Sequence, residues 1–168
     1  RRAVERREFL VHYQPIVELT TGKLSSFEAL IRWQKPDGKL VPPNDFIPLS
    51  EELGLIVDIG KQVLRKACTE CRAWPGDIRV AVNLSPIQFS RANVPFLIRD
   101  ALAATGLPAD RLEIEITETT LLQDTTKTRD YLRQLDDLGV RISLDDFGTG
   151  YSSLTLLKRL RVDVLKID

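Results

Sequence analysis

In Arg141-Ile-Ser-Leu-Asp-Asp-Phe-Gly-Thr-Gly-Tyr-Ser-Ser-Leu154 the period of the chain changes midway. Ile142 and Leu144 fall on one side and Ser143 and Asp145 on the other, the two-residue alternation of a short strand. Asp145 and Asp146 stand together at its C-terminal end. Gly148 and Gly150 then break the strand, and Ser152 or Ser153 is placed to cap a helix from Leu154 to Lys158. In α/β proteins a strand followed by acidic residues, a glycine loop and a helix is where ligands bind. Adjacent ionised carboxylates repel, so one takes up a proton or a cation lies between them. Asp, Gly and Ser also populate plain solvated turns, and the stretch alone leaves both readings open.

On either side the same alternation recurs. Phe9–Leu19 reads as a strand in which Pro15 demands a bend or an exposed edge, and Leu24–Trp33 as its partner across Thr21-Gly22-Lys23. Ile78–Leu84, Leu112–Thr117 and Val162–Asp168 read as further strands. Between them, helices are expected over Asp45–Leu53 (capped by Asn44), Asp58–Trp74, Pro95–Thr105 and Thr126–Leu138. Pro42-Pro43 is expected to stop any regular element. A strand pair followed by repeated helix–strand units implies a parallel sheet with helical cover. A closed (β/α) barrel takes about 250 residues. The 168 present are therefore expected to leave it about a third short, to be covered by further chain or by a second chain.

Composition bounds the class. With 43% hydrophobic and 29% charged residues the chain reads as an ordinary soluble domain. Lys plus Arg and Asp plus Glu number 24 each, which gives no bulk electrostatic reason to expect a nucleic-acid polymer as partner. No apolar run nears the roughly 20 residues of a membrane span, and no signal peptide opens the sequence. Cys68 and Cys71 lie on a helical stripe without a second Cys pair or a nearby His, so they read as reduced thiols rather than a zinc or redox site. A cytoplasmic location is expected. The sole histidine, His12, reads as structural.

Comparison of the strand faces brings out a constellation. Glu28, Asn83, Glu115, Asp145 and Lys166 each occupy the row opposite their strand's aliphatic row, towards its C-terminal end. In a barrel with helices outside, that row faces the axis and that end carries the site. Carboxyls buried together need compensation. Oxygen ligands without His or Cys favour Mg²⁺, Mn²⁺ or Ca²⁺ over zinc. Room for two ions, with Asp145 and Asp146 placed to bridge or bracket them, suits phosphodiester hydrolysis, and Lys166 can orient water or neutralise phosphate charge.

These residues also carry a resemblance. Phe27-Glu-Ala-Leu-Ile-Arg-Trp33, Tyr13-Gln14-Pro15, Asn83-Leu84-Ser85-Pro86, Glu115-Ile116-Thr117-Glu118, Asp145-Asp146-Phe147-Gly148 and Lys166-Ile167-Asp168 occur in the order found in the EAL-domain cyclic di-GMP phosphodiesterases. The resemblance covers the chain from about Phe9, leaving residues 1–8 as the tail of a connecting helix and residues 9–168 as a partial EAL domain. It implies a modified TIM (β/α) barrel with an antiparallel first strand, incomplete in this chain. It implies two ions, Mg²⁺ or Mn²⁺, and hydrolysis of cyclic di-GMP to linear pGpG. Glu28, Asn83, Glu115 and Asp145 would bind metal, with Asp146 shared by the second ion, and Lys166 would hold the nucleophilic water. Gln14, Leu30, Arg32 and Asp168 would contact the dinucleotide. Glu118 would anchor the loop from Asp146 to Leu154, which in this family couples the site to dimerisation, so a homodimer is implied. GGDEF, PAS or receiver modules commonly accompany such domains, and membrane anchoring would come from segments elsewhere. The family's general-base glutamate and a further glutamine lie beyond Lys166, so residues 1–168 alone are expected to be inactive. The alternative function is an inactive cyclic di-GMP receptor or regulatory module.

Overall fold

The computed structural model describes residues 1–122, 126–148 and 161–167. The expected cap at Ser152 or Ser153, the helix Leu154–Lys158, most of the Asp146–Leu154 loop and Asp168 lie outside these residues.

A short helix, α1 (Arg2–Glu5), docks through Val4 on the core, and Gln62 Nε2 donates to its carbonyl at 3.0 Å. β1 (Phe9–Val17) and β2 (Leu24–Gln34) pair antiparallel from Phe9↔Trp33 to Val17↔Leu24, joined by a turn in which Gly22 takes φ 67°. Among the described residues β1 ends the sheet order, and Pro15, which has no N–H to donate, stands opposite Phe27 in its register with β2. β3 (Leu40–Val41) adds a two-residue antiparallel pairing to β2.

Helix α2 (Pro43–Glu52) begins where the sequence reading expects Pro42-Pro43 to stop regular structure. Pro43 occupies the first helical position, where a missing N–H costs nothing and the fixed φ is already helical. Asn44 is therefore inside the helix, and Pro42 is its N-cap. α3 (Ile56–Ala73) buries the expected stripe of Ile59, Val63, Leu64, Ala67, Cys68 and Cys71. Both thiols are free and fully buried, and burial pushes Cys68 up to about 12, away from reactive thiolate.

β4 (Arg79–Asn83) is followed by α4 (Pro86–Arg91), a helix the periodicity did not announce. Gln88 Oε1 accepts from the Ser85 N–H at 3.0 Å, half of a capping box that Ser85-Pro-Ile-Gln88 spells in the sequence. Then come α5 (Val94–Thr105), a single 3₁₀ turn over Ala109–Arg111, β5 (Leu112–Thr117), α6 (Glu118–Leu122), α7 (Thr126–Asp137), β6 (Arg141–Phe147) and β7 (Val164–Ile167). Among the described residues the sheet order is β1-β2-β4-β5-β6-β7, parallel from β2 onward. This is an α/β sheet consistent with an incomplete (β/α) barrel whose first strand is antiparallel. Val80, Val82, Ile114, Ile116, Ile142 and Leu144 pack outward against α3, α5 and α7 as one buried core. No described helix is long and apolar enough to cross a membrane.

Candidate active site

The polar row of each strand converges. Asn83 Nδ2 donates to Glu28 Oε1 at 2.8 Å, linking β4 to β2. Lys166 Nζ reaches Glu115 Oε1 at 2.8 Å, Glu28 Oε2 at 3.2 Å and Asp145 Oδ1 at 3.7 Å. β2 and β7 stand four pairings apart in the sheet. Laid flat at about 4.8 Å per strand they would be roughly 19 Å apart, so the Glu28–Lys166 contact requires the sheet to curl about its polar row. All five residues of the sequence constellation are thus brought to one place.

The electrostatics are uneven. Glu115 is fully buried, and its Oε2 has no hydrogen-bond partner among the described residues. Burial raises its pKa from near 4.5 to about 7; the hydrogen bond and charge of Lys166 oppose the rise, and the negative charges of Glu28 and Asp145 add to it. On Lys166 burial works against the charge, yet Glu115, Glu28 and Asp145 together outweigh it and raise its pKa. The ammonium is held protonated by three carboxylates that it only partly neutralises.

Among the described residues no three acidic, His or Cys side chains come close enough to hold an ion unaided; Lys166 stands between the carboxylates instead. The donor set nonetheless fits a hard divalent cation. It is all oxygen, its three carboxyls outnumber the single Lys166 ammonium, and Glu115 Oε2 is a buried acceptor without a donor among the described residues.

Asp145 and Asp146 are separated by a break in alternation. The β6–β7 register shifts between Leu144 and Phe147, and Asp146 takes φ 56°, the left-handed region that Asp tolerates better than most residues. Strict alternation would put Asp146 on the aliphatic row with Leu144; the bulge leaves it exposed instead.

Gln14 stands directly opposite Glu28 in the β1–β2 register, and Leu30 and Arg32 follow Glu28 on the same row. Arg32 Nη1 donates to its neighbour's carbonyl, Ile31 O, at 2.7 Å. Glu118 opens α6 directly after β5; it is buried, and neither carboxylate oxygen has a hydrogen-bond partner among the described residues. It is not part of the Lys166 cluster. Asp168 lies outside the described residues.

Three features escaped the sequence reading. His12, expected to be structural, is exposed and pairs with Leu30, on the row of Gln14 and Glu28; alternation from Gln14 carried the signal. One step deeper on the same row, Glu113 is buried with Oε2 3.7 Å from Arg141 Nε, beside Ser143. Burial raises the Glu113 pKa, and Arg141 and Arg79 counter it. The alternating Glu113-x-Glu115 was the available sign. Arg111, buried, donates to the carbonyls of Ile78, Cys71 and Trp74 at 2.8, 2.9 and 3.3 Å, tying α3 to the start of β5. Nothing local in the sequence marks it.

An uncharacterized signaling protein of Caulobacter vibrioides is 48% identical over 168 residues, covering 100% of this chain and 21% of that protein. The bifunctional diguanylate cyclase/cyclic di-GMP phosphodiesterase MucR of Pseudomonas aeruginosa is 46% identical over 172 residues, covering 100% of this chain and 25% of that protein. The chain thus spans a quarter or less of these relatives. The solved c-di-GMP complex of the PaMucR phosphodiesterase superposes with a TM-score of 0.94 at 46% identity, covering 99% of this chain and 69% of that one. The family model for the EAL domain matches residues 1–168, and the chain belongs to that family.

Proposed function

We propose that the chain carries the site of a metal-dependent phosphodiesterase that opens cyclic di-GMP to linear pGpG. One observation carries this reading: Glu28, Asn83, Glu115, Asp145 and Lys166, from five strands, meet within hydrogen-bonding or ion-pairing distance and leave net negative charge at a partly open end of the sheet. MucR, named for cyclic di-GMP turnover, and its solved complex with the dinucleotide support the substrate.

Glu28, Asn83, Glu115 and Asp145 would hold the first of two Mg²⁺ or Mn²⁺ ions, and Asp146 would be shared with the second. Bound there, such ions supply the charge that eases deprotonation of water and offsets charge on the attacked phosphate. The remaining chemistry belongs to the side chains. Lys166, kept cationic by its carboxylates, serves as a hydrogen-bond donor to the attacking water or a phosphate oxygen and not as its base. The base would be the glutamate that the family resemblance places on a strand after Lys166. Gln14, Leu30 and Arg32 line the row above Glu28, where they would seat the dinucleotide, with Asp168 assigned there by motif. Water adds to phosphorus, the P–O3′ bond breaks, and the freed 3′ oxygen takes up a proton.

The test is chromatographic assay of pGpG from cyclic di-GMP by the full-length protein, with Mg²⁺ or Mn²⁺ and with excess chelator. Wild type should turn over only with metal, and Glu28→Ala should lose turnover while retaining its circular dichroism. Near wild-type activity in Glu28→Ala, or product formation undiminished by chelator, would refute the proposal. Metal-independent binding of intact cyclic di-GMP without product would mark a receptor.

A further inference from the structure

We infer that Lys166 is a built-in counter-cation, holding the acidic cluster together until a divalent ion displaces its ammonium. The inference rests on the metal-site reading above and goes beyond it. Three carboxylates from three strands surround one ammonium at 2.8, 3.2 and 3.7 Å. A cation entering the same cluster must compete for those oxygens. Glu28 is already committed through Oε1 to Asn83 and through Oε2 to Lys166, which leaves Glu115 Oε2 as a buried acceptor with no donor among the described residues.

The carrier suits displacement. Lysine is a point charge on a flexible four-carbon stem, without the planar fork that would lock an arginine onto carboxylates. Its side chain is a quarter exposed, so an exit to solvent is open.

Two roles of Lys166 predict opposite signs. If it only arranges the carboxylates for metal, its removal disorders them and weakens ion binding. If it competes, removal deepens the negative potential and strengthens ion binding. Removing a unit charge a few ångströms from a divalent ion changes affinity by about tenfold or more, even at a high effective dielectric constant.

The experiment is calorimetric titration of Mn²⁺ into the metal-stripped full-length protein, without nucleotide. Lys166→Met should bind Mn²⁺ about tenfold or more tightly than wild type, whereas Lys166→Arg, which keeps the charge, should not gain. Its melting temperature should fall in chelator and rise further than that of wild type when Mn²⁺ is added. Equal or weaker binding by Lys166→Met, with wild type binding normally, overturns the inference alone. Absence of binding in both proteins overturns the metal reading and the inference with it. If Lys166→Met does not fold, Lys166→Gln replaces it with the same expected direction. Wild type gives an independent reading: labelling of Lys166 by a succinimidyl ester, followed by mass spectrometry, should rise severalfold with Mg²⁺. Unchanged labelling would count against displacement.

Discussion

Glu115→Gln in ion-free protein should raise stability, and the gain should grow with pH. The carboxyl is fully buried, and its pKa is raised from near 4.5 to about 7, first by burial and then by Glu28 and Asp145, against the pull of Lys166. A raised carboxyl pKa in the folded state means that folding favours the protonated form. Its contribution to stability is complete below about pH 4.5 and is lost as pH rises through about 7. That span corresponds to about 3 kcal/mol. Glutamine has the same shape and no charge to desolvate, so the variant escapes the loss. The pull of Lys166 on the charged carboxyl is already contained in that net rise, and in the variant the ammonium keeps Glu28 and Asp145. The difference between variant and wild type should therefore grow from near zero at pH 4.5 to a gain of up to about 3 kcal/mol at pH 8. In a domain of this length that equals roughly 6–12 °C in melting temperature. The assay is urea unfolding with chelator from pH 4.5 to 8.5, with Glu113→Gln alongside. Glu113 is faced by Arg141 and Arg79, so its curve should vary less with pH. A difference between wild type and Glu115→Gln that stays flat across this range would refute the reasoning, showing that Lys166 fully offsets the burial.

Two further predictions concern the scaffold. A Cβ on Gly60 would lie 2.1 Å from Gln88 Nε2, and Gln88 is buried and committed to the Ser85 N–H; Gly60→Ala should therefore cost about 1–3 kcal/mol from overpacking, outweighing the ~1 kcal/mol of helix propensity gained. A rise in thermal midpoint would show that Gln88 moves freely. Arg111→Ala strips donors from the carbonyls of Ile78, Cys71 and Trp74 and should cost about 3 kcal/mol in urea unfolding; a loss below about 1 kcal/mol would mean that water replaces the guanidinium.

What the sequence made legible was periodic. Leu112–Thr117 alternates without a fault and forms β5 at those bounds, while Ile59, Val63, Leu64, Ala67, Cys68 and Cys71 repeat at helical spacing and form the buried stripe of α3. The same alternation placed Glu28, Asn83, Glu115, Asp145 and Lys166 on one row. Elements shorter than two turns were missed, since α4 and α6 are too brief for a period to show. Their signals are local: the Ser85-to-Gln88 cap, and a glutamate opening a helix straight after a strand. Pro43 misled because proline both ends and begins helices, and only its neighbours decide which. Arg111 was invisible for a different reason. Its partners are carbonyls some 33 to 40 residues away, brought to it by packing and not by pattern.

The polar row resolves into two layers with different charge balance, and this separates scaffold from site. In the lower layer one acid, Glu113, is faced by Arg79 and Arg141. In the upper layer three acids, Glu28, Glu115 and Asp145, are faced by one base, Lys166. A row selected only for stability would have little reason to gather like charges at one level, because each added carboxylate raises the cost of its neighbours. The lower layer shows that the same sheet can match acid with base when it does so two residues deeper. In the ion-free protein that excess is eased by Lys166 and by protonation of Glu115, and its place at the C-terminal ends leaves a way in for the cation proposed above. Lys166 is a single charge on a mobile stem, enough to keep the acids folded together and too little to satisfy them.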